Sequence, residues 1–290
     1  MRNAYEAAAI MFSLLREDFI FVDKNSYHYS LTKREGFHSY SEIFANKFSG
    51  GYACDSMGRV IAKSARCINL EHMKQVLISK DQGVLEANQW MFDGEFRFLD
   101  GTSIANDKVG FSSFPRSGNS FLRRYVEQLT GVTTGSCMSI HTSTSMQVMG
   151  MKGESHIGDN VWVVKSHHPF AVFGASTFNS TKTFISVRHP LDVFPSYAAY
   201  CNTFSHGNKP DFDFLDYPEW WTWFVKTQTD YMQRWFEILL RNCGQEGKNP
   251  LYIVRYEDLV MKPKETLMGL ACYLLEQNDL SGTNMERRID

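Results

Sequence analysis

From residue 109 to residue 276 the chain alternates short apolar runs with helical patterns, and this alternation restricts the fold more than any other feature. Strand-like runs rich in Val, Ile, Phe and Tyr fall near 109–114, 161–167, 181–190 and 251–259. Between and after them come helical patterns near 119–130, 191–204, 218–242 and 263–276. A β-branched or aromatic run of that length crosses a sheet once, and an intervening helix carries the chain back to the starting end. The pattern predicts an α/β fold in three layers, with a central, mostly parallel sheet flanked by helices. Ligands of such sheets collect outside the carboxyl ends of the strands, so side chains at those ends are the first candidates for function.

The stretch "FSSFPRSGNSFLRRYVEQL", residues 111–129, joins the first run to the first helix through a turn built on Pro115 and Gly118. Phe121, Leu122, Tyr125, Val126 and Leu129 recur at helical spacing, which places the helix directly behind the turn. A helix start leaves backbone N–H groups without intrahelical partners and carries the positive end of the macrodipole. Gly118 lets the backbone come close to a ligand, Ser117, Asn119 and Ser120 add short donors, and Arg116 adds a planar cationic fork. The segment is either an anion site for phosphate or sulfate or an ordinary helix start.

Three further strand ends carry candidates. "KSHHP", 165–169, sets Lys165 and His167 at the same rim as the turn after Phe114. A histidine there can take a proton from a hydroxyl or amine, because neutral imidazole titrates near physiological pH. Hydrogen bonding within a turn is the alternative, and His168 fits it. In "VRHPLDVFPSY", Arg188 ends the third run and Ser196 lies eight residues on. Pro190 and Asp192 are helix-start residues, so Arg188 is expected to project toward Ser196 and bind a phosphate with it, unless it pairs with Asp192. "VRYEDLVMKP" offers Tyr256 as a contact for a nucleotide base. Glu257 and Asp258 are read as structural, since adjacent carboxylates point apart and no ligand cluster accompanies them. The aromatic stretch "FLDYPEWWTWF", 214–224, either lines an acceptor pocket or packs in the core.

Composition narrows the classes. At 290 residues and 43% hydrophobic the chain can bury one large core. Thirty basic against 32 acidic residues argue against a nucleic-acid scaffold. Cysteines 54, 67, 137, 201, 243 and 272 form no C-x-x-C pair, so reduced thiols are expected rather than zinc or a disulfide framework. "AAAIMFSLL", 7–15, is too short to span a bilayer and is followed by Arg16, Glu17 and Asp18, which argues against a signal peptide. Residues 1–105 carry no chemical motif and are read as an N-terminal extension of unknown role that could pack on the main domain, 106–290. The remaining histidines, among them His28, His38, His72, His141, His156 and His206, lack ligand-like spacing.

In this order, "FPRSGNSFLR", "KSH", "RHPLDVFPSY" and "RYEDL" together resemble the sulfotransferase superfamily, whose sulfuryl donor is 3′-phosphoadenosine 5′-phosphosulfate (PAPS) and whose product is 3′-phosphoadenosine 5′-phosphate (PAP). The resemblance covers roughly residues 109–276 and implies a P-loop-like α/β fold. It implies that Arg116, Ser117, Gly118, Asn119, Ser120 and Phe121 form the 5′-phosphosulfate loop and that Arg188 and Ser196 take the 3′-phosphate. It further implies that His167 is the catalytic base, supported by Lys165 and Arg116, that Tyr256 approaches adenine, and that Phe121 stands where many cytosolic members stack a tryptophan on the base. The expected acceptor is a small molecule, carbohydrate or peptide, with no metal, no nucleic acid and no membrane span, and with oligomeric state open. The expected location is cytoplasmic, or the Golgi lumen if an anchor lies outside this sequence. Two positions depart from the family pattern. Arg116 replaces the usual cytosolic lysine, as in several Golgi carbohydrate and tyrosylprotein members. The family's late R-K-G segment, which closes over the 3′-phosphate, has no counterpart after Tyr256, where only Arg287 and Arg288 lie near the end. A catalytically inactive binding or assembly protein of the same family is the alternative expectation.

Overall fold

The computed structural model describes residues 67–101, 107–138, 146, 150–167, 177–203, 210 and 212–290, and the backbone of two short antiparallel strands, β1 (Ala53–Cys54) and β2 (Val60–Ile61). The expectations for residues 7–15 and for His28, His38, His141, His168 and His206 lie outside these residues.

The central sheet has five strands: β3 (Val109–Ser113), β4 (Gly135–Ser136), β5 (Val163–Ser166), β6 (Lys182–Val187) and β7 (Leu251–Arg255). Their order is β4-β5-β3-β6-β7 and every pairing is parallel. The chain steps from β3 outward to one edge, returns, and crosses to the other side at β6. That crossing makes the carboxyl ends of β3, β5 and β6 the topological switch point, where a crevice for a ligand opens.

Paired residues of parallel strands share a face. Phe111 is in register with Lys165 on one side and Phe184 on the other, and the Phe111 and Phe184 rings stack at 4.4 Å. On that face Val109, Phe111, Val163 and Phe184 pack against Leu122 and Val126 of α3 (Asn119–Thr130), Met73 and Leu77 of α1 (Leu70–Ile78), and Leu270 and Leu274 of α7 (Pro263–Leu275). On the opposite face Ile185 packs against Val193 and Tyr197 of α4 (Pro190–Thr203) and Trp220, Phe224 and Trp235 of α5 (Pro218–Asn242). These side chains explain the three layers: each fully buried large apolar group contributes about 1.5–3 kcal/mol, and both faces of the sheet offer places for them. Within the aromatic stretch 214–224, Trp220 and Phe224 are core residues, while Trp223 is exposed.

The segment 67–101 joins the same core. Ile68 and Leu99 pair across an isolated bridge, and Lys74 on α1 forms an ion pair with Asp107 just ahead of β3. A short helix, α2 (Gln82–Ala87), follows α1.

The strand expected at 251–259 stops at Arg255. Tyr256 opens a helix, α6 (Tyr256–Met261), whose first turn holds Glu257 and Asp258. Carboxylates favour the positive end of a helix, and the Glu257 carboxylate also accepts the His189 backbone N–H at 2.7 Å. The last helix, α8 (Asn284–Ile289), returns to pack on α1. Among the described residues no helix is long and apolar enough to cross a membrane.

Candidate functional site

The turn between β3 and α3 is tight and unusual in backbone. Arg116 has φ 67° and Gly118 φ 84°, both left-handed, and the Ser117 N–H donates to the Phe114 carbonyl at 3.2 Å. The left-handed region is costly for any residue with a Cβ, and a non-glycine residue held there is a mark of a site under constraint. Gly118 is required twice over: a Cβ at that position would lie 2.4 Å from Cδ2 of Tyr256. The Tyr256 ring thus rests on the turn, and the Arg188 guanidinium sits 4.5 Å from its centroid.

Arg116 and Arg188 meet here, one from each side of the switch point. Nε of Arg116 donates to Oγ of Ser196 at 3.0 Å, and its guanidinium lies 5.5 Å from the Tyr200 ring. Arg188 donates from Nη1 to the Arg116 carbonyl at 3.2 Å. Arg188 was expected to reach Ser196; Arg116 takes that hydroxyl instead, because its left-handed backbone turns the side chain across to α4, while Arg188 is drawn back by Tyr256 and the turn carbonyl. Burial, and then the neighbouring Arg188 charge, lower the Arg116 guanidinium below its usual range, against the opposing influence of Tyr200.

Two buried donors at this place have no hydrogen-bond partner: Oγ of Ser117, on a side chain with no exposure, and Nε of Arg188. Unsatisfied buried donors cost about 1–3 kcal/mol each, and their survival beside two arginines and a helix N-terminus fits an anionic ligand such as a phosphate. Asn119 is turned the other way, its amide donating to Oγ of Ser113 at 2.9 Å, and Ser120 lies against Sδ of Met146 at 3.9 Å. Phe121 is 42% exposed at the rim, edge-on to Tyr125 and 6.2 Å from the Tyr256 ring. It is the more open of the two aromatic surfaces, since Tyr256 already covers Gly118 and carries Arg188.

His167 stands just past β5. Its Nδ1 is 3.0 Å from the Ser113 carbonyl oxygen, which can only accept, so Nδ1 carries the proton and Nε2 keeps its lone pair. Burial, and then the Lys165 charge, push His167 down to about 3, although the Ser113 carbonyl favours the charged form. The ring is neutral at physiological pH, with a fixed tautomer. Lys165 is buried on the face that α3 covers, its ammonium lowered by burial and supported by the Glu154 carboxylate. Local sequence offered no signal for Ser113, Tyr200, Ser186 or Glu154, each of which acts on a candidate residue from a distant segment. Ser186, for example, donates to the Ser117 carbonyl.

Arg287 and Arg288 are occupied elsewhere. Arg287 bonds Oδ1 of Asn284 and the Lys80 carbonyl, and Arg288 bonds the Gln128 and Leu129 carbonyls at the far end of α3. The twelve residues of α3 put that end about 18 Å from the turn. Among the described residues no group of His, Cys, Asp or Glu has the makings of a metal site.

The sulfotransferase domain family matches residues 106–277, the whole stretch from the start of β3 to the end of α7. The chain belongs to that family. A WSCD family member from Aedes aegypti is 28% identical over 181 residues, which is 60% of this chain and 52% of the relative. The chain therefore spans about half the length of that relative. No solved structure matches the chain. The β3–α3 turn, the two arginines and the strand-end histidine lie at the carboxyl ends of the strands, the side on which parallel sheets collect ligands.

Proposed function

We propose that this sulfotransferase domain moves a sulfuryl group from PAPS to a hydroxyl or amine acceptor. The observation that carries the reading is the meeting of Arg116, Arg188 and the Ser117–Gly118 turn at one switch point, with buried donors of Ser117 and Arg188 unpartnered there. When bound, PAPS supplies an activated sulfuryl group and a 3′-phosphate. Ser117 and the first turn of α3 would hold the 5′ end, with Ser120 at its side and Asn119 bracing the turn through Ser113. Arg188 and Ser196 would hold the 3′-phosphate, and Phe121 with Tyr256 would flank the adenine. Arg116 and Lys165 bring positive charge to where negative charge develops, which is the dominant means of accelerating group transfer between oxygens. His167 would take the acceptor proton at Nε2 while Nδ1–H stays on the Ser113 carbonyl. Ser196 holds Arg116 through Nε, so the guanidinium is pre-oriented and one donor must be released or shared when the 3′-phosphate arrives.

A second reading is favoured by one observation: Arg287 and Arg288 are committed to carbonyls remote from the turn, so neither closes over a 3′-phosphate. It is a catalytically inactive member that binds a nucleotide or a partner.

A thermal melt with PAP tests the cofactor. Ligand at a hundredfold its dissociation constant adds about 2.7 kcal/mol of stability, and no shift at millimolar PAP sinks the assignment. Arg188→Ala removes a charge-assisted contact of about 1.5–3 kcal/mol, so PAP affinity should fall by more than about tenfold. Adenosine 5′-phosphate, which lacks the 3′-phosphate, should lose far less. Equal losses for the two nucleotides would place the 3′-phosphate away from Arg188.

A further inference from the structure

We propose that Glu257 is a positioning residue for Arg188: by accepting the backbone N–H of His189 it fixes the turn between β6 and α4 and so keeps the Arg188 guanidinium on the Tyr256 ring. The inference rests on the reading above only in giving Arg188 the 3′-phosphate, and the placement of Arg188 can be measured without any nucleotide.

β6 and β7 pair in parallel as far as Val187 and Arg255. Carried one and two residues further, that register sets Arg188 opposite Tyr256 and His189 opposite Glu257. The chain leaving β7 turns into α6 at Tyr256, so the backbone ladder stops and side chains continue the pairing in its place. The Arg188 guanidinium lies over the Tyr256 ring, 4.5 Å from its centroid. One residue on, the His189 N–H donates to Oε1 of Glu257 at 2.7 Å, the short distance typical of a charged acceptor. The neighbouring carboxylate does something else: Oδ2 of Asp258 lies 3.7 Å from Nη1 of the exposed Arg255.

The rest of His189 serves α4. Its carbonyl accepts the Asp192 and Val193 N–H groups, each at 3.0 Å, and its ring Nδ1 accepts the Leu191 N–H at 3.3 Å. Glu257 therefore ties the start of α4, and with it the residue just before, to the helix that carries Tyr256. That residue is Arg188, which also donates from Nη1 to the Arg116 carbonyl at 3.2 Å and whose buried Nε has no partner. A long side chain held by a ring face and one carbonyl is only as fixed as the backbone that roots it. A shift of about 1 Å in a group that holds a ligand is costly, and the Glu257 hydrogen bond opposes such a shift at the adjoining peptide.

A merely structural Glu257 would affect any nucleotide alike, whereas a positioning one acts on what Arg188 touches. Glu257→Ala and Glu257→Gln remove the same charge, but the Gln amide oxygen can still accept the His189 N–H, so the difference between them isolates the hydrogen bond. Glu257 is only half-buried, so both variants should fold, which a melt checks. In calorimetry Glu257→Ala should bind PAP about three- to tenfold more weakly than Glu257→Gln, the net worth of one hydrogen bond, while the two bind adenosine 5′-phosphate equally. Equal PAP affinities, or the same loss for both nucleotides, overturn the proposal. A nucleotide-free arm follows Arg188 directly, through its 15Nε–1H signal, assigned with Arg188→Lys. The Tyr256 ring face should shift that proton upfield in wild type. Glu257→Ala should move it toward the position of a free arginine, and Glu257→Gln should leave it near wild type. A signal that stays in place in Glu257→Ala overturns the proposal. If wild type binds no PAP, the proposed function fails, while the arginine signal still decides the role of Glu257.

Discussion

His167→Ala is expected to lower sulfuryl transfer by about 10²–10⁴-fold, the usual contribution of a positioned base, while leaving PAP affinity nearly unchanged. In the proposed site the imidazole would address the acceptor, while Arg188 and the turn at Gly118 would hold the nucleotide. Its low basicity adds a pH signature. A free histidine titrates near 6.5, but His167 is pushed down to about 3. Acting as the proposed base, His167 would stay unprotonated as pH falls, and kcat/KM should remain flat between about pH 7 and pH 5. A decline centred near the ordinary histidine value would assign the proton transfer to another group. The same shift has a stability consequence with a definite sign. Between the folded and unfolded values the unfolded chain binds the extra proton, so the contribution of a neutral His167 is complete above about 6.5. It is lost as pH falls toward about 3, and His167→Gln should flatten that part of the curve. The kinetic arm needs an acceptor that turns over, found with a panel of phenols, sugars, sterols and tyrosine peptides and labelled PAPS. Wild type that binds PAP but transfers to none of them favours the inactive-member reading.

Gly118→Ala is expected to weaken PAP binding by about 10²-fold or more. A left-handed backbone costs an alanine about 1–2 kcal/mol. The new Cβ also meets Cδ2 of Tyr256 at 2.4 Å and Cε2 at 2.9 Å, so the ring must leave. When the ring leaves, Arg188 loses the aromatic face that holds it 4.5 Å away, and that stacking is worth about 0.5–1 kcal/mol or more. The β3–α3 turn and Arg188, proposed to hold the 5′ end and the 3′-phosphate, are thereby disturbed by one methyl group. Calorimetry of PAP binding decides it, with a melt of the free protein to show that the variant folds. Because Gly118 and Tyr256 touch, their variants should not be additive: Gly118→Ala in a Tyr256→Ala background should cost clearly less than in wild type. A folded Gly118→Ala protein that binds PAP normally would remove the turn from the nucleotide site.

The alternation of β-type runs and helical patterns was enough for the layers of the sheet, because burial on both faces imposes it locally: Val109–Ser113, Lys182–Val187, Asn119–Thr130 and Pro218–Asn242 appear almost where periodicity puts them. The strand-end rule likewise points to Arg116, His167 and Arg188, which directly follow or end a run, whereas Lys165 lies within β5 and is buried on the face of the sheet that α3 covers. Two features escaped this reading for a local reason. β4 is only two residues long, too short to show a period, and Tyr256–Met261 continues an apolar run but is turned into a helix by its acidic first turn.

What the chain's residues settle unaided is chemistry and order: which groups are present, at which strand ends, in a sulfotransferase sequence of motifs. What only the tertiary structure decides is who touches whom. Ser196 lies eight residues after Arg188 yet bonds Arg116, eighty residues away. His167 owes its tautomer to the carbonyl of Ser113 on a neighbouring strand, and the buried Arg123 finds its partner in Glu154, to which no local pattern connects it. Spacing along a chain governs contacts only within one helix or strand. Across a parallel sheet, register and burial choose the partners, and the desolvation that lowers His167 exists only once the layers have closed over it.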